Sequence, residues 1–258
     1  MDYDTLLVTE ADGIGTITLN RPEVMNALNK QMRAEITHAA SDLGARVRVL
    51  VLTGAGRAFC SGQDLGDGGN AAQIDLERTL REEYEPMLRA IYDAQVPVIA
   101  AVNGSAAGAG ANLALAADVV IATQSASFIQ AFTRIGLIPD AGGTWFLPRQ
   151  IGFSRAMGTM LFADKISATQ AAEWGMIWEA VPDEGFASHW LNRARALANG
   201  PTIAYRNIRK GLRASLSNTL DAQLALEARL QAEAGKTRDF QEGVLAFLEK
   251  RPASFEGR

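Results

Sequence analysis

Hydrophobic and polar residues alternate at the start of the chain and then change period. Residues 5–8 and 15–19 alternate as paired strands do, with Asp12-Gly13 between them, which predicts a β-hairpin. Asn29 is placed to cap a helix reaching about Leu43, because Met32, Ile36, Ala39 and Leu43 recur on one face. Residues 47–53 (VRVLVLT) form a continuous run of leucine and β-branched residues, the pattern of a strand buried on both faces. Residues 54–69 are glycine-rich and read as a loop; a charged helix over 75–94 follows, with a bend predicted at Pro86. The long apolar stretch 96–122 is interrupted by Pro97, Asn103, Asn112 and Asp118. It therefore reads as two buried strands, 96–102 and 118–122, joined by a short helix near 109–117, and not as a membrane span. Residues 135–144 form a loop that leads into a helix. From residue 154 the pattern is mainly helical: 154–162, 167–174 with a Ser167/Gln170 capping box, 184–198, 202–214, 219–234 and 237–249. Alternation of strand and helix predicts an α/β fold, with a β/α core over 1–195 and a helical C-terminal region over 196–258.

Composition narrows the chemistry. A chain of 258 residues, 48% hydrophobic, buries a sizeable core in one large domain or one domain with an appendage. The net charge of −4 leaves no electrostatic footprint for nucleic acid or an anionic membrane. Met1-Asp2-Tyr3-Asp4 lacks the basic-then-apolar order of a signal peptide. The single cysteine, Cys60, excludes an internal disulfide and fits a reducing cytoplasm. His38 and His189 are too few for a metal cluster or an ordinary His-based triad, so no metal is expected and acid/base chemistry falls to carboxylates.

Two glycine segments, Gly54-Ala55-Gly56 and Gly108-Ala109-Gly110, each follow a buried strand. A dinucleotide site is disfavoured, since neither has the third glycine or the later acidic residue of that fingerprint. Two readings remain: tight turns only, or loops whose free backbone N–H groups converge into an oxyanion hole.

The chain resembles a full-length member of the crotonase (enoyl-CoA hydratase/isomerase) superfamily. The resemblance is carried by LNRPEVMNALN at 19–29, VLTGAGRAFCSGQDL at 51–65, VIAAVNGSAAGAGANLALAADVVIA at 98–122, GLIPDAGGTWFLPR at 136–149 and EGVLAFLEKR at 242–251. It implies a spiral of ββα units, a helical C-terminal trimerisation region, and an acyl-CoA thioester as substrate. Coenzyme A arrives as part of that substrate, and no other cofactor is expected. The oxyanion donors would be the backbone N–H groups of Gln63 and Ala109. Ser61, Gly62, Asp64 and Leu65 would surround the first donor, and Gly108 and Gly110 the second. Phe132 and Trp145 would meet the acyl group. Arg21, Phe247 and Lys250 become CoA phosphate and adenine contacts by resemblance, although a solvated or packing role fits them too.

The carboxylates set the reaction. Hydratases of the family carry two glutamates, at the positions of Asn112 and Phe132, and neither is acidic here. Asp140, in IPDAGGT at 138–144, is the acid that remains. It reads either as a helix N-cap or as a base above the acyl carbons, with Phe132, Trp145 and Phe146 as apolar neighbours that would raise its pKa. An aspartate here resembles the base of dienoyl-CoA isomerases and of the ring-1,2-epoxyphenylacetyl-CoA isomerases, and AEWGMIWEAV at 172–181 points to the latter. Isomerisation of a ring epoxide to an oxepin, or a Δ3-to-Δ2 double-bond shift, is the expected reaction. Thioester hydrolysis, dehalogenation, atypical hydration and a non-catalytic subunit supporting a partner hydratase compete with it. For Asp64 a loop or cap role is favoured, and Cys60 reads as a small buried residue. A homotrimer or a dimer of trimers is expected, and residues 66–74 are expected to cover the substrate.

Overall fold

The computed structural model describes residues 2–66 and 75–258; most of the expected covering loop, 67–74, lies outside the described residues. The predicted hairpin is β1 (Leu6–Ala11) and β2 (Ile14–Leu19), antiparallel from Leu6 opposite Leu19 to Ala11 opposite Ile14. Asp12 and Gly13 both have positive φ (53° and 74°), the geometry that matches a two-residue turn to the strand twist.

Two sheets follow from a repeated step. β3 (Val49–Gly54), β5 (Val98–Val102) and β7 (Val119–Thr123) extend the first sheet in parallel, and β10 (Glu179–Val181) completes the order β1-β2-β3-β5-β7-β10. After each long strand the chain turns into a three-residue strand of a second sheet. These are β4 (Ala58–Cys60), β6 (Ser105–Ala107) and β8 (Ser127–Ile129), with β9 (Ile166–Ser167) antiparallel at the edge. Three successive turns of a ββα spiral result. The sequence reading missed the second sheet, because strands of three residues carry too little alternation to separate from a loop. The central strands β3, β5 and β7 are buried on both faces, which explains their unbroken apolar runs, whereas the edge strand β1 is largely exposed. Leu50 and Leu52 pack with Met32, Ile36 and Leu43 of α1 (Lys30–Gly44), whereas Val49, Val51, Ile99 and Ile121 pack with Phe186 and Ala194 of α8 (Phe186–Ala198).

The charged helix consists of α2 (Leu76–Thr79), a wide π turn at Leu80–Tyr84, and α3 (Glu85–Tyr92). The irregularity precedes Pro86, whose missing N–H breaks the regular ladder at that point. α4 (Ala109–Leu115) leaves β6, and α5 (Gly143–Ile151), α6 (Phe153–Phe162) and α7 (Ala168–Glu173) follow. Ser167 caps α7 by accepting from the Gln170 N–H at 3.2 Å.

The expected boundary at 195/196 falls inside α8, which belongs to the core because it packs on the sheet, so the break moves to the turn at Gly200 and Pro201. α9 (Thr202–Ser215) is fixed to the core by ion pairs of Arg209 and Arg213 with Asp118, at 2.7 and 2.9 Å. α10 (Leu220–Ala234) and α11 (Arg238–Glu249) complete the chain. Leu212, Leu220, Phe247 and Leu248 are exposed along these last helices. Among the described residues no helix is long and apolar enough to cross a membrane.

Candidate active site

Two backbone segments meet where the second sheet ends. Beyond β4, Gln63 forms an isolated parallel bridge with Leu28. The Leu28 N–H donates to the Gly62 carbonyl at 2.8 Å, and the Asp64 N–H donates to the Leu28 carbonyl at 3.2 Å. In a parallel bridge these bonds use the groups flanking Gln63, so the N–H of Gln63 itself faces away from Leu28. Gly62 lies at φ +94°, and a Cβ there would stand 2.8 Å from the Ala107 carbonyl oxygen and 3.5 Å from the Ala109 nitrogen. The bridged segment therefore runs directly against the start of α4. Ala109 is the first residue of that helix, and its N–H has no intrahelical acceptor. Gly110 makes the approach feasible: a Cβ there would fall 2.5 Å from the Cys60 carbonyl oxygen. The arrangement can offer two backbone donors to one oxygen atom.

Asp140 is held through its backbone carbonyl, and one of its carboxylate oxygens has no partner. The buried Asn112 amide donates to the Asp140 carbonyl oxygen at 2.8 Å and accepts from Gln130 at 2.8 Å, while the Gly143 N–H donates to the same Asp140 carbonyl oxygen at 2.8 Å. α5 has Gly142 as its cap residue and receives no side-chain cap, so the N-cap reading of Asp140 is incorrect. Oδ1 of Asp140 is buried without a hydrogen-bond partner. Burial pushes the pKa of this carboxyl up to about 6.

The carboxylate lines a cavity of about 710 Å³ between the 76–92 helix and residues 137–146. Its walls include Leu80, Tyr84, Tyr92, Leu137, Trp145 and Phe146. Trp145 stands edge-on to both Tyr92 and Phe146, with ring centroids 5.7 and 5.1 Å apart, an arrangement the ring quadrupoles favour. The Arg149 guanidinium lies 4.4 Å from the Trp145 ring centre.

The remaining candidates separate. Phe132 was expected beside Asp140; it is buried instead against Gly108, 3.7 Å from where a Cβ would be, and does not line the cavity. It flanks the donor at Ala109. Asp64 pairs with Arg21 at 2.8 Å, and the same Arg21 nitrogen donates to the Ala27 carbonyl at 2.7 Å, so the two side chains brace the donor loop. Ser61 donates to the carbonyls of Met25 and Val24 through its N–H and hydroxyl, at 3.0 and 3.2 Å. Leu65 is exposed, as are Phe247 and Lys250 on α11 and its C-terminal cap, and none of the three lines this cavity. Burial pushes the Cys60 thiol up to about 12, which leaves no thiolate at neutral pH. His38 meets the Tyr3 hydroxyl and His189 meets Glu179, each at 2.8 Å. Among the described residues no group of three His, Cys, Asp or Glu side chains is placed to hold a metal ion.

Tyr84 was absent from the sequence reading. It is buried, its hydroxyl has no partner, and its ring lies 4.9 Å from the Arg33 guanidinium. Burial raises its ionisation well above the ordinary phenol range; the neighbouring Arg33 guanidinium opposes the shift, and the Asp140 charge adds a smaller increment to it. In sequence it lies on an apolar helical face with Leu80, Met87 and Ile91, a pattern that signals core packing.

The sequence profile of the family described as "Enoyl-CoA hydratase/isomerase" matches residues 9–258. A Rhodobacter capsulatus protein named "Probable enoyl-CoA hydratase" is 64% identical over all of both chains. The 1,2-epoxyphenylacetyl-CoA isomerase of Escherichia coli is 47% identical, with 95% of this chain and 96% of that one covered. A crystal structure of enoyl-CoA hydratase from Bacillus anthracis is 32% identical and superposes with a TM-score of 0.91, covering 99% of this chain and all of that one.

Proposed function

The chain belongs to the enoyl-CoA hydratase/isomerase family, and from that premise we propose that it is an acyl-CoA isomerase in which Asp140 relays the proton. The observation that carries the reading is the Asp140 carboxyl group, raised in pKa by burial, with Oδ1 lacking a hydrogen-bond partner, on a residue that lines a largely apolar cavity. The two positions at which family hydratases carry glutamate hold an amide tied to the Asp140 loop and a phenyl ring. Neither can activate water.

The thioester carbonyl oxygen sits between the N–H groups of Gln63 and Ala109. Asp140 takes the α-hydrogen as a proton, and the electron pair of the broken C–H bond moves onto the carbonyl oxygen as an enolate. Each backbone donor stabilises that charge by on the order of 3 kcal/mol. In a 3-enoyl thioester the enolate is conjugated with the double bond. Return of the same proton to the γ-carbon shifts the double bond from Δ3 to Δ2, with no net change in atoms or charge. The same relay assists opening of a ring 1,2-epoxide to an oxepin. This second substrate is supported by the aromatic walls of the cavity and by similarity to the E. coli isomerase. The relay needs no cofactor beyond the CoA of the substrate. The exposed apolar residues of α9 to α11 support assembly into a trimer.

Asp140→Asn is expected to cut turnover by about 10²–10⁴-fold and leave binding of an unreactive CoA ester nearly intact. The measurement is product NMR in D₂O with a 3-enoyl-CoA and a ring-epoxide CoA ester. Wild-type rates in the variant on both substrates would rule out Asp140 as the base.

A further inference from the structure

Two buried polar atoms on the cavity-lining residues have nothing to bind: Oδ1 of Asp140 and the hydroxyl of Tyr84. The proton relay explains the first and leaves the second unexplained. Buried hydroxyls without a partner are uncommon, because desolvation is uncompensated until a partner arrives.

The placement of Tyr84 is fixed by specific contacts. Its ring lies over Arg33, which pairs with Glu83 at 2.5 Å and donates to the Leu28 carbonyl at 2.6 Å. Leu28 also bonds to the backbone on both sides of Gln63. The phenol is therefore attached to the same frame as the first oxyanion donor. It is near enough to Asp140 to feel the carboxylate charge, yet the two groups make no hydrogen bond. Around them the wall is apolar: Leu80, Leu88, Leu137 and Phe146. Two charged residues of the lining are paired with neighbours one helical turn away, Arg81 with Glu77 at 2.9 Å and Arg89 with Asp93 at 3.4 Å.

We propose that Tyr84 is a substrate-recognition residue whose hydroxyl donates a hydrogen bond to an oxygen carried by the acyl group beyond the thioester. The cavity then selects ring-bearing, oxygenated acyl groups over bare hydrocarbon ones. A phenol held in its protonated form is a donor, which suits an ether, epoxide or hydroxyl oxygen. A site built to bond a substrate oxygen discriminates against the analogue lacking it, since its own polar group is then left unpaired. The inference rests on the reading above for the direction in which the acyl group enters.

The test is calorimetric titration of wild type and Tyr84→Phe with phenylacetyl-CoA and with 2-hydroxyphenylacetyl-CoA. Wild type is expected to bind the hydroxylated ester about 3- to 10-fold more tightly, the worth of one neutral hydrogen bond, and Tyr84→Phe to lose that ratio. An unchanged ratio in the variant, an equal change in both affinities, or no preference in wild type would overturn the proposal. An equal change would mark Tyr84 as a support for Asp140 only. The phenyl ring keeps the packing on Arg33, and losing a partnerless hydroxyl is expected to leave the melting temperature unchanged or raised. Should the variant not fold, wild type labelled at tyrosine Cζ gives the same answer. One of its four tyrosines should shift with the hydroxylated ester and not with the bare one, and the absence of that difference overturns the proposal. No turnover is involved, so failure of the base assignment leaves the ratio readable. Failure of both esters to bind would remove the two readings together.

Discussion

The backbone segments at Gln63 and Ala109, proposed as oxyanion donors, and the cavity at Asp140 are joined through α4 and the Asn112 amide, yet they are built in opposite ways. The first is backbone, hydrogen-bonded along its outer edge through Leu28 and closed by glycines that admit no Cβ. The second is made of side chains, two of which hold buried polar atoms without partners. A backbone wall is preorganised and indifferent to most substitutions. A side-chain cavity can be retuned by one residue, at a cost to stability that the rest of the fold must absorb. Asp140→Asn should break the comparison most sharply, because it removes the reaction and that cost together. Burial raises the folded-state pKa from 3.8 to about 6, so the folded protein holds this proton more tightly than the unfolded chain does. The contribution of Asp140 thus favours folding below about pH 4 and is lost as pH rises through about 6; at neutral pH the charged form costs up to about 3 kcal/mol. The variant should therefore be nearly inactive and melt higher than wild type in calorimetry at pH 7. A lower melting point would mean that the carboxylate has a structural role.

The backbone half should fail in the opposite way. Gly110→Ala drives a methyl group into the Cys60 carbonyl and thiol, 2.5 and 2.6 Å away, and neither belongs to a flexible chain end. The segments must separate, so activity should drop by about 10²–10³-fold, the effect of losing one oxyanion donor, and here the melting temperature should fall as well. Near-wild-type kinetics in this variant would show that the donors do not need close contact. A milder perturbation is pH. With Asp140 as base, kcat/KM should fall about tenfold per pH unit below a midpoint near 6 and level off above it. A midpoint at the ordinary aspartate value would place the carboxylate in water during the reaction.

This difference also explains what the sequence could reveal. The long strands and helices were legible because their apolar periods run over many residues, as in Met32, Ile36 and Leu43 of α1 and the doubly buried β3. Asp140 and the two glycine segments stood out by residue type and position, and the roles given to them belong to the proposed mechanism. The second sheet was not legible, since β4, β6 and β8 have three residues each and owe their pairing to the spiral. Nor were the contacts that position the chemistry. Asn112 appeared only as a missing glutamate, although its amide holds the Asp140 carbonyl across 28 residues of chain. Tyr84 gave no signal of its own, because its place on an apolar helical face with Leu80, Met87 and Ile91 is what core packing alone would produce. Phe132 was assigned to the wrong half, because its neighbour Gly108 is distant in sequence.

The smallest expected effect lies at the seam between the halves. Arg21 and Asp64 are each 19% exposed, and such a pair contributes about 1 kcal/mol or less. The donor segment stays pinned by its two bonds to Leu28 when the pair is removed. Arg21→Met and Asp64→Asn should therefore each lower kcat/KM only about two- to fivefold, through slight loosening of the Gln63 donor. Resemblance assigns Arg21 a second task as a contact for CoA phosphate, and the two variants separate the roles. A brace acts through both partners, so equal losses in both variants, independent of salt, would assign Arg21 to the backbone frame alone. A rise in KM confined to Arg21→Met and shrinking as ionic strength rises would show that the guanidinium also reaches the anionic ligand.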